Sequence, residues 1–193
     1  MASERRIKKI RYVLRHRQPG LTVVVENVHD PHNVSAILRS CDATGVMEVQ
    51  LVYTEEEFPA IGKKSSASAN KWVGRRTFAT VEECYRKLQE EGYRIYATRL
   101  GPKSKSLYEL DLTKPVALVF GNEHRGVSHE AAELADGNFQ IPMFGMIQSL
   151  NVSVACAVSL FEALRQRTVK VRHKKPKLSA RRLRTLLKEW TVK

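Results

Sequence analysis

Apolar residues recur along this chain with two periods, and the alternation between them lays out the fold. Near the amino end Ile7, Ile10, Val13 and Leu14 stand three or four apart among lysines and arginines, with Tyr12 beside them. This is the spacing of a basic amphipathic helix over residues 3–17, which Pro19 and Gly20 stop. Residues 21–25, LTVVV, are a short continuous apolar run, the mark of a strand buried on both faces. Asp30 as N-cap and Pro31 at the first helical position then open a helix that Gly45 closes. Val34, Ile37, Leu38 and Cys41 fall at i, i+3, i+4 and i+7 and make its buried stripe. Asn33 lies in its first turn, and Ser35 and Arg39, four apart, share another face.

The same alternation continues to the carboxyl end. Strands are predicted over residues 46–53, 72–78, 93–98, 116–120 and 139–141, and helices over 81–91, stopped by Gly92, and 128–135, capped by Ser128. Residues 55–70 and 102–114 read as loops. A long helix begins at Ser149 or Asn151 and runs through the apolar residues up to 164, and Ser179 caps a last helix that reaches Trp190. Strand alternating with helix predicts an α/β fold with a mostly parallel sheet flanked by helices. Its core occupies residues 19–167, with a helical amino-terminal extension over 1–18 and a second extension over 168–193.

The stretch 141–153, IPMFGMIQSLNVS, breaks this regularity. Pro142 and Gly145 forbid regular structure, yet residues 143–147 are apolar, and loops that cross a surface are usually polar. The loop is therefore expected to turn inward, lining a pocket or an interface. In the helix after it, Ser153, Ala155, Ala157 and Ser159 mix with Val154, Val158 and Phe161. It is apolar on nearly every side, the pattern of a buried helix that a partner backbone can approach closely.

Charge adds a second theme. The net charge of +13 is concentrated at the ends: residues 1–18 carry +6 and residues 165–193 carry +11, whereas the stretch between them carries −4. A near-neutral core with two cationic arms is the footprint of a nucleic-acid binder, since each phosphate neutralised releases counterions. Arg5, Arg6, Lys8, Lys9 and Arg11 in the first arm and Arg172, Lys174, Lys175, Arg181, Arg182 and Arg184 in the second are the candidate nucleic-acid contacts. Neither arm has the aromatic and aliphatic face of a membrane-surface helix, and no run approaches the ~18 apolar residues of a span. Three cysteines without a CxxC pair point to a reducing, cytoplasmic compartment rather than a disulfide scaffold or a cysteine zinc site.

Familiar catalytic loops are missing. There is no GxGxxG after the first strand, no GxxxxGK followed by Ser or Thr, and no HExxH, and the histidines show no metal-ligand spacing beyond His29 and His32 in a turn, so no metal is expected. In open parallel sheets ligands bind beyond the carboxyl ends of the strands, which here places attention on the loops at 27–33, 98–101, 121–128 and 142–151.

Three segments in those loops, NVSAILRSCDATG, FGNEHRGVS and IPMFGMIQSLNVSVACAV, resemble in order the three motifs of the SPOUT superfamily and, within it, the TrmH-type 2′-O-ribose methyltransferases. The likeness covers residues 20–165, and its third motif is highly specific. The basic extensions are most similar to the branch that modifies guanosine at tRNA position 18. The resemblance implies a deep trefoil knot in the last part of the catalytic domain, against the general rule that chains do not thread loops. It also implies a homodimer, a tRNA substrate and S-adenosylmethionine as methyl donor. Thr98, Gly121, Ile141 and Leu150 would hold that cofactor, with Met146 and Ser149 nearby. An apolar slot suits such a ligand, because a dry pocket penalises unpaired polar groups.

The resemblance also places Arg39 at the reaction centre, with Asn33, Glu123, Ser149 and Asn151 around it. Arginine, whose pKa lies above ~12, is an unusual base. Arg39 either acts as one through contact with a substrate phosphate or clamps the phosphate and stabilises the developing alkoxide. Without the resemblance, it would be read as a surface ion pair with Asp42. Glu123 would orient Asn33 or Arg39; Asn122, His124 and Arg125 beside it have no assignable role. An RNA methyltransferase acting on ribosomal RNA, or an RNA-binding assembly protein with an inactive centre, are the rival readings.

Overall fold

The structure, a computed structural model, describes residues 2–59, 69–170 and 178–193. Strands β1 (Leu21–Glu26), β2 (Glu48–Val52), β3 (Gly74–Phe78), β4 (Arg94–Thr98), β5 (Lys105–Ser106), β6 (Val116–Phe120) and β7 (Gly137–Gln140) join in one sheet ordered β3-β2-β1-β6-β4-β7-β5. Every pairing is parallel. The two continuous apolar runs, β1 and β6, are neighbours at the centre and buried along their whole length.

Successive side chains on a strand point to opposite faces, and each face meets its own helices. Val23, Val25, Leu118 and Phe120 pack with Val34, Ile37, Leu38 and Cys41 of α2 (Pro31–Thr44) and Cys156, Leu160 and Ala163 of α5 (Val152–Lys170). Val24, Ala117 and Val119 pack on the other side with Val81, Cys84, Tyr85 and Leu88 of α3 (Val81–Glu90) and Ala131 of α4 (His129–Leu134). The caps read from the sequence are present: Asp30 Oδ1 accepts the His32 amide, Ser128 Oγ accepts the Ala131 amide, and Gly45 ends α2 in the left-handed region. At the start of α5 the cap is Asn151, not Ser149, with Oδ1 accepting the Ser153 and Val154 amides.

Residues 102–114 are not simply a loop. They contain β5 and a single 3-10 turn, Leu107–Glu109, closed by a capping box between Ser106 and Glu109, and they bury Leu107, Leu110 and Leu112. Gln166 ties α5 to them, donating to the Leu110 carbonyl and accepting the Leu112 amide. The loop predicted over 55–70 lies largely outside the described residues.

The two ends of the chain meet. Helix α1 (Glu4–Arg15) and helix α6 (Ala180–Val192) share a small core of Ile10, Leu14, Leu186 and Trp190, and the Trp190 ring lies 4.9 Å from Trp72. Arg17, only 1 % exposed, sits over Trp190 and donates to the Val46 carbonyl and to Asp42, at 2.8 and 2.6 Å. Asp42 thus pairs with Arg17, and not with Arg39. Arg167 is buried as well, donating to the carbonyls of Gly20, Leu112 and Lys114; burial lowers its pKa to about 10 and leaves it a cation at neutral pH. Two of the basic residues near the ends are therefore structural ties. No helix among the described residues is long and apolar enough to cross a membrane.

Candidate active site

The loops after β6 and β7 and the start of α5 enclose a cavity of about 700 Å³ at the carboxyl ends of the strands. That is within the usual range for a small-molecule site. Thr98, Gly121, Ile141, Ser149 and Leu150 all line it, together with Leu100, Met143 and Val152. Its floor requires glycine at 121. The segment from Asn122 to Gly126 folds back through an antiparallel bridge, so a Cβ at 121 would stand 2.1 Å from the Gly126 carbonyl oxygen. Thr98 is fixed by donating to the Val119 carbonyl at 3.0 Å.

Met146 departs from expectation. It and Phe144 are 100 % exposed, Ile147 is 63 % exposed, and none of the three lines the cavity. The apolar loop is turned outward in the single chain. Pro142 and Gly145 supply the bends, and an apolar sequence does not distinguish a wall of a pocket from a surface awaiting a partner.

Beside the cavity three of the expected residues form one hydrogen-bonded chain. Glu123 Oε1 accepts from Asn33 Nδ2 at 2.9 Å, and Asn33 Oδ1 accepts from Asn151 Nδ2 at 3.0 Å. Glu123 also accepts the backbone amides of His29 and Asp30, both at 3.1 Å. Partial burial pushes the Glu123 carboxyl up, but these donors outweigh it and hold the carboxyl below its ordinary value, so it is ionised at neutral pH. Among the described residues Asn33 keeps one N–H and one lone pair uncommitted, because an amide offers two donors and two acceptor sites. Asn151 does two jobs: its nitrogen binds Asn33 while its oxygen caps α5.

Arg39 is not part of this chain. It lies six residues beyond Asn33 on α2, about 9 Å along the axis and about 120° around it, exposed and without a bond to any described residue. Ser149 is likewise exposed and unbonded among the described residues. In the arms Arg5, Arg6, Lys8, Lys9, Arg11, Arg181, Arg182 and Arg184 are exposed. Arg172, Lys174 and Lys175 lie outside the described residues. Sequence reasoning gave Asn122 no role; it anchors the Glu123 turn, accepting the His124 and Arg125 amides on Oδ1. Its place directly after the invaginating Gly121 was the signal.

Comparison with known proteins places this geometry. The model of the SpoU rRNA Methylase family matches residues 20–161. A tRNA (guanosine(18)-2′-O)-methyltransferase of Thermus thermophilus is 48 % identical over 191 residues, covering 99 % of this chain and 98 % of its relative. The crystal structure of the A. aeolicus TrmH/SpoU tRNA modifying enzyme superposes with a TM-score of 0.91 at 41 % identity, covering 98 % of this chain and 96 % of the other. The SpoU methyltransferase AviRb of Streptomyces viridochromogenes, in complex with the cofactor AdoMet, superposes with a TM-score of 0.70 at 25 % identity over 77 % of this chain and 60 % of that one. With its three motifs gathered at one end of a parallel sheet, the chain belongs to the SpoU rRNA Methylase family.

Proposed function

We propose that the protein transfers a methyl group from S-adenosylmethionine to the ribose 2′-oxygen of a guanosine in tRNA, at position 18. The observation that carries the choice of RNA is coverage. The family match stops at residue 161, yet the likeness to the T. thermophilus tRNA enzyme runs through both basic arms. The described helices of those arms, α1 and α6, pack together and expose a basic surface, suited to phosphates and to selection of RNA by shape.

The cavity fits the cofactor. Its apolar wall of Leu100, Ile141, Leu150 and Val152 suits an adenine, and the side-chain-free floor at Gly121 lets a ligand approach the backbone. Thr98, Gly121, Ile141, Ser149 and Leu150 would hold it. Bound there, it supplies an electrophilic methyl on a sulfonium. The chain's own task is to align the hydroxyl and manage its proton. Glu123 fixes Asn33, and the N–H and lone pair of Asn33 that no described residue takes are set to orient the ribose. Arg39, uncommitted to any described carboxylate, clamps the adjacent phosphate and stabilises the developing alkoxide.

A homodimer belongs to this reading. Phe144, Met146, Ile147, Val154 and Phe161 expose a large apolar surface on the 143–147 loop and α5, and α5 packs directly on α2, which bears Arg39. A second copy covering that surface brings the partner's loop toward Arg39. The SPOUT knot, the division into residues 1–18, 19–167 and 168–193, a cytoplasmic location and a reaction without a metal are parts of the same proposal. Methyl transfer from labelled S-adenosylmethionine to total tRNA and, separately, to ribosomal RNA tests it, with Arg39→Ala alongside. Label in tRNA that is lost in the variant supports the reading; label only in ribosomal RNA refutes the substrate, and label in neither refutes the activity.

A further inference from the structure

Asn27, at the end of the loop-bearing edge of β1, holds an unusual conformation and an unusual number of bonds. Among the described residues it is the one non-glycine with positive φ, at 49°, and it is buried. Asparagine tolerates the left-handed region better than most residues, but glycine meets that demand at lower cost. What asparagine adds is its amide. Oδ1 accepts the backbone amides of Thr54, Glu55 and Glu56 at 2.9, 3.1 and 3.3 Å, and Nδ2 donates to Thr54 Oγ1 at 3.2 Å. The loop after β2 is thereby folded onto the end of β1.

The Asn27 carbonyl accepts a buried bond from Asn122 Nδ2 at 2.8 Å. Asn122 holds both sides of the turn that presents Glu123: its Oδ1 takes the His124 and Arg125 amides, and its carbonyl takes the Gly126 amide at 2.8 Å. Arg125 then returns to the loop after β2, with its guanidinium 3.2 Å from Glu55 and 2.9 Å from Glu56. Three loops are closed into a ring, and the carboxylate that orients Asn33 stands at its rim. A residue in a costly conformation, held by its surroundings next to such a group, invites a functional account.

We infer that Asn27 and Asn122 are positioning residues for methyl transfer: in series, they fix the turn from which Glu123 orients Asn33, and so couple the loop after β2 to the reaction centre. The inference rests on the proposed transferase activity. Neither side chain lines the route by a direct bond to Asn33 or Asn151; both act through Glu123. For Asn27, which lies outside the cofactor cavity, the consequence falls on kcat, since the orientation of the reacting group is lost while the surfaces that bind tRNA and cofactor stay in place; Asn122 also lines that cavity, so its loss weakens cofactor binding as well.

Three variants separate the links. Asn27→Gly keeps the backbone conformation and the carbonyl and removes the cap on residues 54–56. Asn27→Asp keeps the acceptor. Asn122→Ala cuts the tie to β1. Each is assayed for kcat, for KM with tRNA and for cofactor Kd by calorimetry. Asn27→Gly is expected to lower kcat by about 10- to 100-fold with KM and Kd within about threefold of wild type, and Asn122→Ala to lower kcat by a similar factor with KM for tRNA within about threefold and a weaker cofactor Kd. Asn27→Asp is expected to recover kcat to within about fivefold, and the double variant Asn27→Gly with Asn122→Ala to lose little more than the worse single, since links in one series are not additive. Wild-type kcat in the singles, a loss carried by KM, or multiplying losses in the double overturns the inference. If the wild type methylates no RNA, the transferase reading fails instead. Hydrogen exchange then decides: loss of protection at the amides of 124–126 in Asn27→Gly upholds the coupling, and unchanged protection overturns it. Should Asn27→Gly not fold, Asn122→Ala and Asn27→Asp carry the same comparison.

Discussion

Replacing Asn33 by aspartate changes one NH2 into an oxygen and should turn the reaction centre into a pH-dependent one. In the native chain Asn33 Nδ2 donates to Glu123 Oε1 at 2.9 Å. The variant would set two carboxylates at that separation, with charge centres ~4 Å apart. At an effective dielectric of ~20 their repulsion is ~4 kcal/mol, and solvent at the partly exposed Glu123 reduces it to ~2–4 kcal/mol. Repulsion of that size pushes the apparent titration of the pair upward, toward the pH range in which the assay is run. Below that titration the new carboxyl is protonated and donates to Glu123 as the amide did; above it both groups ionise and separate, and Asn151 loses a fixed partner. The ratio of variant to wild-type kcat, measured by methyl transfer from pH 5.5 to 8.5, is therefore expected to fall by about tenfold or more as pH rises. Asn33→Ala, which removes both bonds, should lower kcat by a similar factor at every pH. A ratio for Asn33→Asp that stays constant across the range would refute the Glu123–Asn33 bond as the organising contact.

Other consequences follow from the arms, the core and the exposed loop. Arg181, Arg182 and Arg184 replaced together by alanine should weaken tRNA binding and flatten the slope of log K against log salt by up to ~3, leaving cofactor affinity alone; an equal fall in cofactor affinity would show that arm and core are not separable. Glu26 is buried, and burial raises its carboxyl above the ordinary value against the opposing bond from the Ser128 amide. Its stabilising contribution is present below the unfolded pKa of ~4.5 and lost as pH rises through the higher folded value. Glu26→Gln should therefore gain stability relative to wild type between pH 5 and 8 in urea unfolding, and a difference independent of pH would contradict this. Met146→Glu, placed on the fully exposed loop, should shift the protein toward monomer in sedimentation at micromolar concentration and reduce kcat with it; a fully active monomer would remove the dimer from the mechanism.

The strands and helices with strong patterns were legible because one physical signal dominated each. LTVVV and VALVF are too apolar for anything but central strands, and Asp30, Pro31 and Gly45 mark α2 at both ends. β5, only two residues long, has no period to detect, and the burial of Leu107, Leu110 and Leu112 that anchors residues 102–114 shows only in the fold. Charge counting placed Arg17 and Arg167 near the ends of the chain without showing that backbone carbonyls and Asp42 bury them. At the site the motifs brought out Asn33, Glu123 and Asn151, which the fold joins in one chain. The outward turn of residues 144–147 and the ring through Asn27 and Asn122 depend on how three loops meet, and no local pattern carries that. Arg39 stands apart from the cavity in the single chain, so its part in the chemistry depends on an assembly that one chain's sequence does not spell out.

The proposed reaction places a methyl on one ribose oxygen of tRNA. The most direct test offers the purified protein labelled S-adenosylmethionine and two synthetic tRNAs, identical except that one carries 2′-deoxyguanosine at position 18. Stoichiometric label is expected in the ordinary tRNA, recovered as 2′-O-methylguanosine at that position, and none in the deoxy substrate. Equal label in both would show that the methyl goes elsewhere and rule out transfer to the position-18 ribose.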